Sequence, residues 1–399
     1  MYNDYVEPRL SAKKSFFRSV FHKNFNIGFK SPASDACTTC CLLKNKIKTT
    51  KDPSQKARLM IEKRVHSMRA KAFYELMRQE SDTSMTYCFD LQQVQPLPRT
   101  PIQEAFYSRQ ISFYNFCVVD RNAKSPTFYC WTENVASRGS TEIGSALFNF
   151  LNSKNFDGID TIKLFCDGCG GQNKNSHIVH LLFFWLQNKS PENVKRIELT
   201  FPTRGHSFLP ADRVFGRVEK EIRRYPVITT PDEYIKHYSK FGKVLKLGTD
   251  WSLYKIKELE CFYKKLESIQ TLKRVHFIKK VTRGNLIKCC IKVYENYKFT
   301  SDKENDLELK ILKRGKSHTD VCDLSDAPLN KLISVKKKKD VETLLAKQFG
   351  ENWKELDELA WYVNILYHDN IEHEALHEEC DDENNSCNCL EEEEVILRI

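Results

Sequence analysis

The sequence predicts an α/β fold with a mixed five-stranded sheet flanked by helices, preceded by a helical hairpin and followed by a small C-terminal domain. Between residues 84 and 225 the apolar period alternates between two and about 3.6, giving strand, strand, strand, helix, strand, helix, strand, helix. Three acidic residues lie on or next to these elements: Asp90 lies within the first strand, Asp167 follows the fourth strand, and Asp212 begins the last helix. This is the ribonuclease H-like order, typical of metal-dependent folds that cut nucleic acid.

The chain divides into five predicted regions. Residues 1–34 are a basic and aromatic N-terminal segment with no clear period, and residues 35–83 form a helical hairpin with a Cys/His cluster and a Lys-Asp-Pro turn. Residues 84–230 hold the ribonuclease H-like domain. Residues 231–368 are a mixed basic region that ends in a helical unit, and residues 369–399 are an acidic tail that we expect to be disordered.

Turn residues and changes of period mark the predicted elements. The predicted strands of the central domain are Thr86–Leu91, Ser112–Asp120, Thr127–Thr132, Thr161–Cys166 and Val194–Phe201. Its predicted helices are Glu142–Leu151, Ser176–Gln187 and Ala211–Arg224, the last of which stops before Pro226. Further along, a β-rich run is predicted over Lys273–Phe299 and a helical unit over Val341–Leu366.

Charge is unevenly distributed along the chain. The formal net charge is +10, but residues 371–399 hold eleven Asp or Glu against one Arg, so the remainder carries 62 Lys+Arg against 42 Asp+Glu, or +20. A body of this charge attracts phosphate backbones and releases their counterions. We therefore predict DNA or another nucleic acid as the partner, with a solvated lysine surface as the alternative. A homo-oligomer is left open.

Cysteine usage and hydropathy indicate the cellular setting. The fifteen cysteines are scattered, and Met1–Leu10 lacks the basic and then apolar pattern of a signal peptide. The longest apolar run, Ile178–Leu186, is about half the length needed to cross a bilayer. We predict an intracellular, nuclear protein without a membrane span. The first residues are typical of the interior of a longer protein, so a separate DNA-binding module is expected elsewhere.

The three aspartates have the chemistry of a magnesium site. Cutting or joining a phosphodiester needs an activated water or hydroxyl and a stabilised leaving oxygen, which two Mg²⁺ ions about 3.5–4 Å apart can supply. Mg²⁺ takes oxygen ligands, so converging carboxylates suit it. Parallel strands would bring Asp90 and Asp167 to one sheet edge, and the loop before Asp212, which holds His206, would reach the same edge. All four are predicted catalytic residues.

Glu219 is the rival third acid, because it lies seven residues beyond Asp212 on the same helical face. It is about 10 Å further along the helix axis, so only one of the two can share a metal pair with the other acids. We prefer Asp212, since it is nearer the strand ends. The structural alternatives are a helix N-cap for Asp212, a solvent-facing strand acid for Asp90, and a turn residue for Asp167.

A glycine-rich segment follows Asp167. Its glycines allow close approach of the backbone to a ligand, its amides and lysine can bind an anion, and a helix N-terminus follows. The candidate cofactor-binding residues are Gly170, Gly171, Gln172, Asn173 and Lys174. The spacing matches neither GxGxxG nor GxxxxGK[ST], and a plain tight turn is the alternative.

The predicted hairpin carries a possible zinc site. Cys37 and Cys40 begin its first helix, and His66 lies at the same level on the second. Two thiolates and an imidazole are three zinc ligands, and Cys41 or Cys88 could be the fourth. The alternative is a CxxC that packs as small buried side chains beside a surface histidine.

Several motifs carry a family resemblance. They are Phe89–Gln93, Phe106–Tyr107, Tyr114–Asn115, Cys166–Asn175, Gly205–Ser207 and Asp212–Gly216. Over roughly residues 30–365 the sequence resembles the eukaryotic family with the domain of unknown function numbered 7869, whose members resemble transposon-derived genes. The resemblance implies a transposase-like or integrase-like catalytic domain, with the three aspartates and His206 carried over.

Three functions are therefore expected from the sequence. The first is a transposase-derived nuclease or strand transferase that acts on DNA with Mg²⁺ or Mn²⁺, together with a zinc ion at the hairpin. The second is a catalytically inactive nucleic-acid-binding protein that retains the fold, and the third is an enzyme that binds nucleotides through the glycine-rich loop.

Overall fold

The computed structural model describes residues 14–24, 36–266, 269–281, 287–297, 308–317 and 323–367. The chain forms two compact units. Of the described residues, the first unit comprises those up to Lys71 together with Thr203–His206, and the second comprises Ala72–Pro202 and those from Ser207 onward. The predicted acidic tail and most of the predicted N-terminal segment lie outside the described residues. No described helix is long and apolar enough to span a membrane.

Helices dominate the first unit. They are α1 (Lys14–Asn24), α2 (Thr38–Thr49) and α3 (Pro53–Arg78), the last of which continues past Lys71 into the second unit. The turn between α2 and α3 lies where the Lys-Asp-Pro sequence predicts it. Asp52 accepts a hydrogen bond from the amide of Gln55 at 2.9 Å, and Pro53 opens α3 with its fixed φ. No apolar period predicted α1, which is largely exposed.

A ten-stranded sheet forms the centre of the second unit. Its order is β10-β9-β8-β6-β5-β1-β3-β4-β7, with β2 paired to β3. The strands are β1 (Ser84–Leu91), β2 (Gln95–Leu97), β3 (Ile111–Asp120), β4 (Ser125–Thr132), β5 (Thr161–Cys166), β6 (Arg196–Thr200), β7 (Lys243–Lys246), β8 (Arg274–Val281), β9 (Ile287–Tyr294) and β10 (Glu308–Leu309). The helices are α4 (Ser140–Asn152), α5 (Ser176–Asn188), α6 (Pro210–Ile222), α7 (Pro231–Tyr238), α8 (Val335–Phe349) and α9 (Ala360–Tyr367).

The five predicted strands form the middle of this sheet, in the order β4-β3-β1-β5-β6. Strand β1 pairs antiparallel with β3 and parallel with β5, and β5 pairs parallel with β6. In the register of β1 and β5, Phe89 lies opposite Cys166. The predicted parallel pairing of the acid-bearing strands is therefore confirmed.

The prediction of a five-stranded sheet was wrong in its strand number. Strands β8 and β7 pair with β6 and β4, the two outer strands of the predicted set, and β9 and β10 extend the sheet beyond β8. Segments that the sequence assigned to the region after residue 230 thus add to the same sheet rather than to a separate small domain. The physical reason is that β4 and β6 have backbone groups that another strand can pair.

Alternation along the strands separates two apolar cores. Tyr87, Phe89 and Leu91 of β1 join the core under α4 and α5. The opposite face of the sheet carries α6 and α7, whose apolar side chains pack on β3 and β4, and Cys88 of β1 faces a smaller cluster with Phe165 and Leu209. Because side chains alternate with a period of two, Asp90 has the same orientation as Cys88.

Replacing Gly242 with alanine is expected to loosen β7 from the sheet. A Cβ at this position would lie 2.3 Å from the carbonyl oxygen of Pro126, so the backbones of β4 and β7 would have to separate. We expect a reduction of about 1–3 kcal/mol in the free energy of unfolding, measured by urea denaturation. Gly216→Ala is the control, since a Cβ there meets nothing within 4 Å; equal reductions in the two variants would contradict the steric explanation.

Candidate functional site

Three carboxylates lie near one another on one face of the central sheet. Asp90 lies near the end of β1, and Asp167 follows β5 by one residue. Since Phe89 pairs with Cys166, the next residue on each strand is Asp90 on one and Asp167 on the other. Helix α6 packs against β1 and β3 on this face, and its third residue is Asp212. The topology thus brings together the three acids that the sequence singled out.

Each carboxylate has one oxygen fixed by a local donor. The amide of Leu91 donates to Asp90 Oδ1 at 2.8 Å, and the amide of Leu209 donates to Asp212 Oδ2 at 2.6 Å. Asp167 Oδ1 accepts from the amide of Cys169 at 3.2 Å and from Asn173 Nδ2 at 2.5 Å. These bonds hold one oxygen of each side chain in place and leave the second oxygen of each without a hydrogen bond to any described residue.

Electrostatics link the three acids. Burial raises the pKa of Asp90 well above its usual range, and the charges of Asp167 and Asp212 raise it further. Burial also raises the pKa of Asp167, although its hydrogen bonds with Asn173 and Cys169 oppose this. Burial and the charge of Asp167 raise the pKa of Asp212, against the hydrogen bond from Leu209. Without a cation, the fold therefore disfavours three negative charges here.

Glu219 does not join this group. It lies seven residues beyond Asp212 on α6, where its carboxylate pairs with Arg223 at 3.7 Å. The acids whose charges raise the pKa of Asp90 are Asp167 and Asp212. The geometry therefore favours Asp212 over Glu219 as the third acid. Asp212 also fulfils part of the capping alternative, since it binds the amide of Leu209.

The glycine-rich loop is organised around Asp167 rather than around an anion. The amides of Gln172, Asn173 and Lys174 all donate to the carbonyl oxygen of Cys169, so they are not free for a phosphate. Asn173 is 0% exposed and Lys174 is 5% exposed. Lys174 Nζ donates to the carbonyl oxygen of Gln270.

Asn175, the last residue of the loop, caps the N-terminus of helix α5. Asn175 Oδ1 accepts from the amide of Ile178 at 3.1 Å, and Asn175 Nδ2 donates to the carbonyl oxygens of Gly170 and Gln172. Gly171 is exposed and contributes no side chain. Asn173 Nδ2 thus positions Asp167, whereas Asn173 Oδ1 is buried without a hydrogen-bond partner among the described residues. The binding of a cofactor by residues 170–174 stays a prediction.

A second cluster lies in the first unit. Cys37 Sγ, Cys40 Sγ, His66 Nε2 and His206 Nε2 converge, and the ligand atoms of the four residues all lie within 4.8 Å of one another. Cys37 Sγ is 3.3 Å from His66 Nε2, Cys40 Sγ is 3.4 Å from His206 Nε2, and the two Nε2 atoms are 3.1 Å apart. The four side chains can hold a metal ion.

The sequence grouped His206 with the catalytic acids, and this assignment is corrected. His206 belongs to the first unit, and its Nε2 lies against Cys40 and His66. His206 is also the fourth member of the Cys/His cluster, a position for which the sequence suggested Cys41 or Cys88. Cys41 is exposed, and Cys88 is buried in the second unit, in the cluster that contains Phe73 and Phe165. A separation of 140 residues between His66 and His206 leaves no local sequence signal for this pairing.

A tight turn presents His206 to the cluster. The amide of His206 donates to the carbonyl oxygen of Thr203 at 2.9 Å, and Gly205 has a φ of 76°. A positive φ at the third residue of a turn is typical of type II, which favours glycine there. A Cβ on Gly205 would lie 2.6 Å from Cys37 Sγ, so the turn and the α2 N-terminus fit only because residue 205 lacks a side chain.

Burial raises the pKa of the Cys40 thiol, and the neighbouring Cys37 raises it further, whereas Lys63 lowers it. The Cys40 thiol therefore keeps its proton more readily than usual when no cation is bound. A metal ion would reverse this preference, because it binds the thiolate form and releases protons.

Comparisons with known proteins give one family and a distant structural likeness. No curated protein matches the chain. Structures of NurA are similar to it at 12% identity with manganese (76% of this chain and 63% of that chain, TM-score 0.15) and at 12% identity without it (79% and 64%, TM-score 0.16). A third, bound to dAMP and manganese, is 11% identical (81% and 64%, TM-score 0.13). The chain thus spans less than two thirds of each NurA chain, and TM-scores this low carry no argument about function.

A match to a family model supports the family resemblance seen in the sequence. Residues 117–311 match the model of a family described as "Domain of unknown function (DUF7869)". This stretch runs from within β3 to just before the bridge at Leu312, and it includes Asp167, the glycine-rich loop, His206 and Asp212. Residues 117–311, just under half of the chain, therefore belong to the DUF7869 family.

Proposed function

We propose that the chain is a transposase-derived, metal-dependent nuclease or strand transferase of the ribonuclease H-like type that acts on DNA. The observation that carries the proposal is that Asp90, Asp167 and Asp212 lie near one another on one face of the sheet, as follows from the register of β1 with β5 and from the packing of α6 on β1 and β3. The order β4-β3-β1-β5-β6, with β1 antiparallel to one neighbour and parallel to the other, supports the fold assignment.

The three carboxylates have the donor chemistry that a magnesium or manganese ion prefers. Both cations prefer oxygen ligands. In each of the three carboxylates, one oxygen accepts a hydrogen bond from a neighbouring N–H group, and the other oxygen can face a cation. Burial and the charges of Asp167 and Asp212 raise the pKa of Asp90, and a divalent cation would offset the repulsion among these charges. Such ions would supply stabilisation of the charge on the phosphate and an activated water or hydroxyl.

The chain's own groups set the geometry. Asn173 is fully buried and holds Asp167, and the amide of Leu209 holds Asp212 at the start of α6. All three aspartates are partly shielded from solvent, which strengthens each charge interaction relative to water. Asn173 is therefore a positioning residue in this proposal.

Asp167→Asn is expected to abolish nicking of supercoiled DNA by the purified protein in Mg²⁺ or Mn²⁺. The substitution preserves shape and one oxygen for Asn173 but removes the charge that binds metal. We expect a fall in rate of about 10²–10³-fold or more, the usual cost of losing one electrostatic stabiliser. Far-UV circular dichroism should show an unchanged fold.

Glu219→Gln is the matched control for this experiment. It neutralises an acid of α6 that pairs with Arg223 instead of the aspartates, so nicking should persist. Wild-type rates in Asp167→Asn, or equal reductions in both variants, would reject the assignment of the three aspartates.

The second candidate is a nucleic-acid-binding protein without catalysis, and the charge of the first unit favours it. Residues 36–71 contain ten Lys or Arg against two Asp or Glu. Nine of the ten basic residues are exposed, namely Lys44, Lys46, Lys48, Lys51, Lys56, Arg58, Arg64, Arg69 and Lys71. Basic density of this kind attracts a phosphate backbone whether or not the aspartates are active.

Measuring DNA binding at several salt concentrations, together with nicking, distinguishes the nuclease from the non-catalytic nucleic-acid-binding protein. Replacing Lys44, Lys48 and Lys51 together with alanine is expected to lower the slope of log K against log salt by up to about 0.9 for each phosphate that these lysines neutralise. Lys240→Ala is the control, because Lys240 pairs with Glu221 at 2.6 Å. A steep slope with no nicking under any divalent cation would favour the non-catalytic candidate, and an unchanged slope in the triple variant would exclude this face as the binding surface.

A further inference from the structure

We propose that Cys37, Cys40, His66 and His206 form a closed, structural Zn²⁺ site that fastens the Thr203–His206 turn to helices α2 and α3. This inference is independent of the proposed nuclease activity, because it rests on a different set of residues in the other unit.

The distances match those of tetrahedral coordination. With Zn–S about 2.3 Å and Zn–N about 2.0–2.1 Å, ligand atoms at tetrahedral angles lie about 3.6 Å apart for a sulfur–nitrogen pair and about 3.3 Å apart for two nitrogens. The observed sulfur–nitrogen separations are 3.3 and 3.4 Å, and the nitrogen–nitrogen separation is 3.1 Å. A modest expansion of the cluster would therefore accommodate the ion.

The donor set selects zinc and leaves no open position. Two thiolates with two imidazoles are a common structural zinc set, whereas Mg²⁺ and Ca²⁺ prefer oxygen. All four positions are supplied by the chain, unlike the three protein ligands and one water of a catalytic zinc. Cys37 and Cys40 are three residues apart at the start of α2, so one helical turn presents both thiols on the same side.

The first unit has few other sources of stability. Among residues 36–71, three side chains are buried: Cys37, Leu43 and Ala70. Helix α2 has twelve residues, and isolated helices of this length are marginal in water. Small units that cannot bury enough apolar surface are commonly stabilised by a metal. A zinc ion bound by both helices and by the 203–206 turn would supply what the core lacks.

The metal content of the full-length protein tests this proposal. We expect one zinc per chain by elemental analysis after purification without added chelator. Replacement of zinc by Co²⁺ should give the intense visible absorption of a four-coordinate ion and the charge-transfer absorption of bound thiolates. His206→Ala and Cys37→Ser should each lower zinc affinity by about 10²-fold or more, since each removes one of four ligands that share the binding free energy.

Two control variants make the outcome specific. Cys41→Ser removes an exposed cysteine next to Cys40, and it should keep one zinc and the cobalt spectrum. Asp90→Asn removes a carboxylate of the other unit, and it should also keep both, so the zinc result stands apart from the nuclease result.

Three outcomes would overturn the proposal: a folded wild type with no stoichiometric zinc, a cobalt spectrum of six-coordinate type, or full zinc affinity in His206→Ala. If a ligand variant does not fold, the wild-type cobalt spectrum decides alone.

Discussion

Asp90→Asn is expected to raise the melting temperature of the metal-free protein at pH 7 while it abolishes metal-dependent nicking. In the fold, burial and the charges of Asp167 and Asp212 raise the pKa of Asp90, so its ionised form is the less favourable one. Asparagine keeps the shape and removes the charge, which relieves this penalty. The gain should be about 2–4 °C for each kcal/mol recovered in a domain of this size.

The gain in melting temperature of Asp90→Asn should increase with pH. An unfolded aspartate has a pKa of about 3.9, whereas the folded Asp90 has a higher one. Between the two values the folded protein binds more protons than the unfolded chain, so its stability falls as pH rises through that interval. Above the interval the full penalty is present. The melting temperatures of wild type and Asp90→Asn should therefore converge at low pH and separate as pH increases.

Thermal melts with and without Mg²⁺ complete the test. Magnesium should raise the melting temperature of the wild type, because a ligand that binds the folded state stabilises it, and should have little effect on Asp90→Asn. Glu219→Gln serves as the control and should retain the magnesium effect. A metal-free Asp90→Asn protein that melts below the wild type at pH 7 would show that the three acids do not repel one another as described.

Gly205→Ala is expected to remove the metal from the Cys/His cluster although it changes no ligand. An added Cβ would lie 2.6 Å from Cys37 Sγ and 3.2 Å from Cys37 Cα, so the turn that carries His206 could not approach α2. The alanine would also sit at a φ of 76°, which costs about 1–2 kcal/mol for a residue with a side chain. We expect release of bound zinc and a partial decrease of helical circular dichroism.

Gly315→Ala separates the two causes of this effect. Gly315 has the same φ of 76°, but a Cβ there meets nothing within 4 Å, so this variant has the backbone strain without the collision. Zinc content should be unchanged in Gly315→Ala. If Gly205→Ala also retains full zinc, the close packing of the turn against Cys37 does not exist in solution.

Hydrophobic periodicity predicted most of the central elements. The strand Thr161–Cys166 is observed with the predicted ends, and the helix predicted over Ser176–Gln187 is observed over Ser176–Asn188. These segments are apolar and bounded by turn residues, so local information suffices. Short strands were missed: β7 has four residues and β10 two, which is too few for a period to appear. Their strand conformation depends on pairing with β4 and β9.

The sequence predicted the positions of the aspartates and of the Cys/His ligands to different extents. Asp90 and Asp167 were predictable as neighbours, because parallel pairing of two recognisable strands fixes their register. The roles of Asn173 and Lys174 were not, since exposure and internal hydrogen bonding decide whether a polar loop binds a ligand or itself. Cys37, Cys40 and His66 were predictable from the spacing of one hairpin, but the fourth residue was not.

The sequence by itself determined the order of the central strands and helices, because each element depends on a local apolar period, and the excess of positive charge, because that depends on composition alone. It also singled out the three aspartates by their positions on or next to these elements. The tertiary structure alone decided that five further strands extend the sheet and that His206 lies with Cys37, Cys40 and His66. Both outcomes depend on contacts between segments far apart in sequence, for which no local period or spacing carries information. The same limit applies to Gly205, whose missing side chain matters only because Cys37 lies against it.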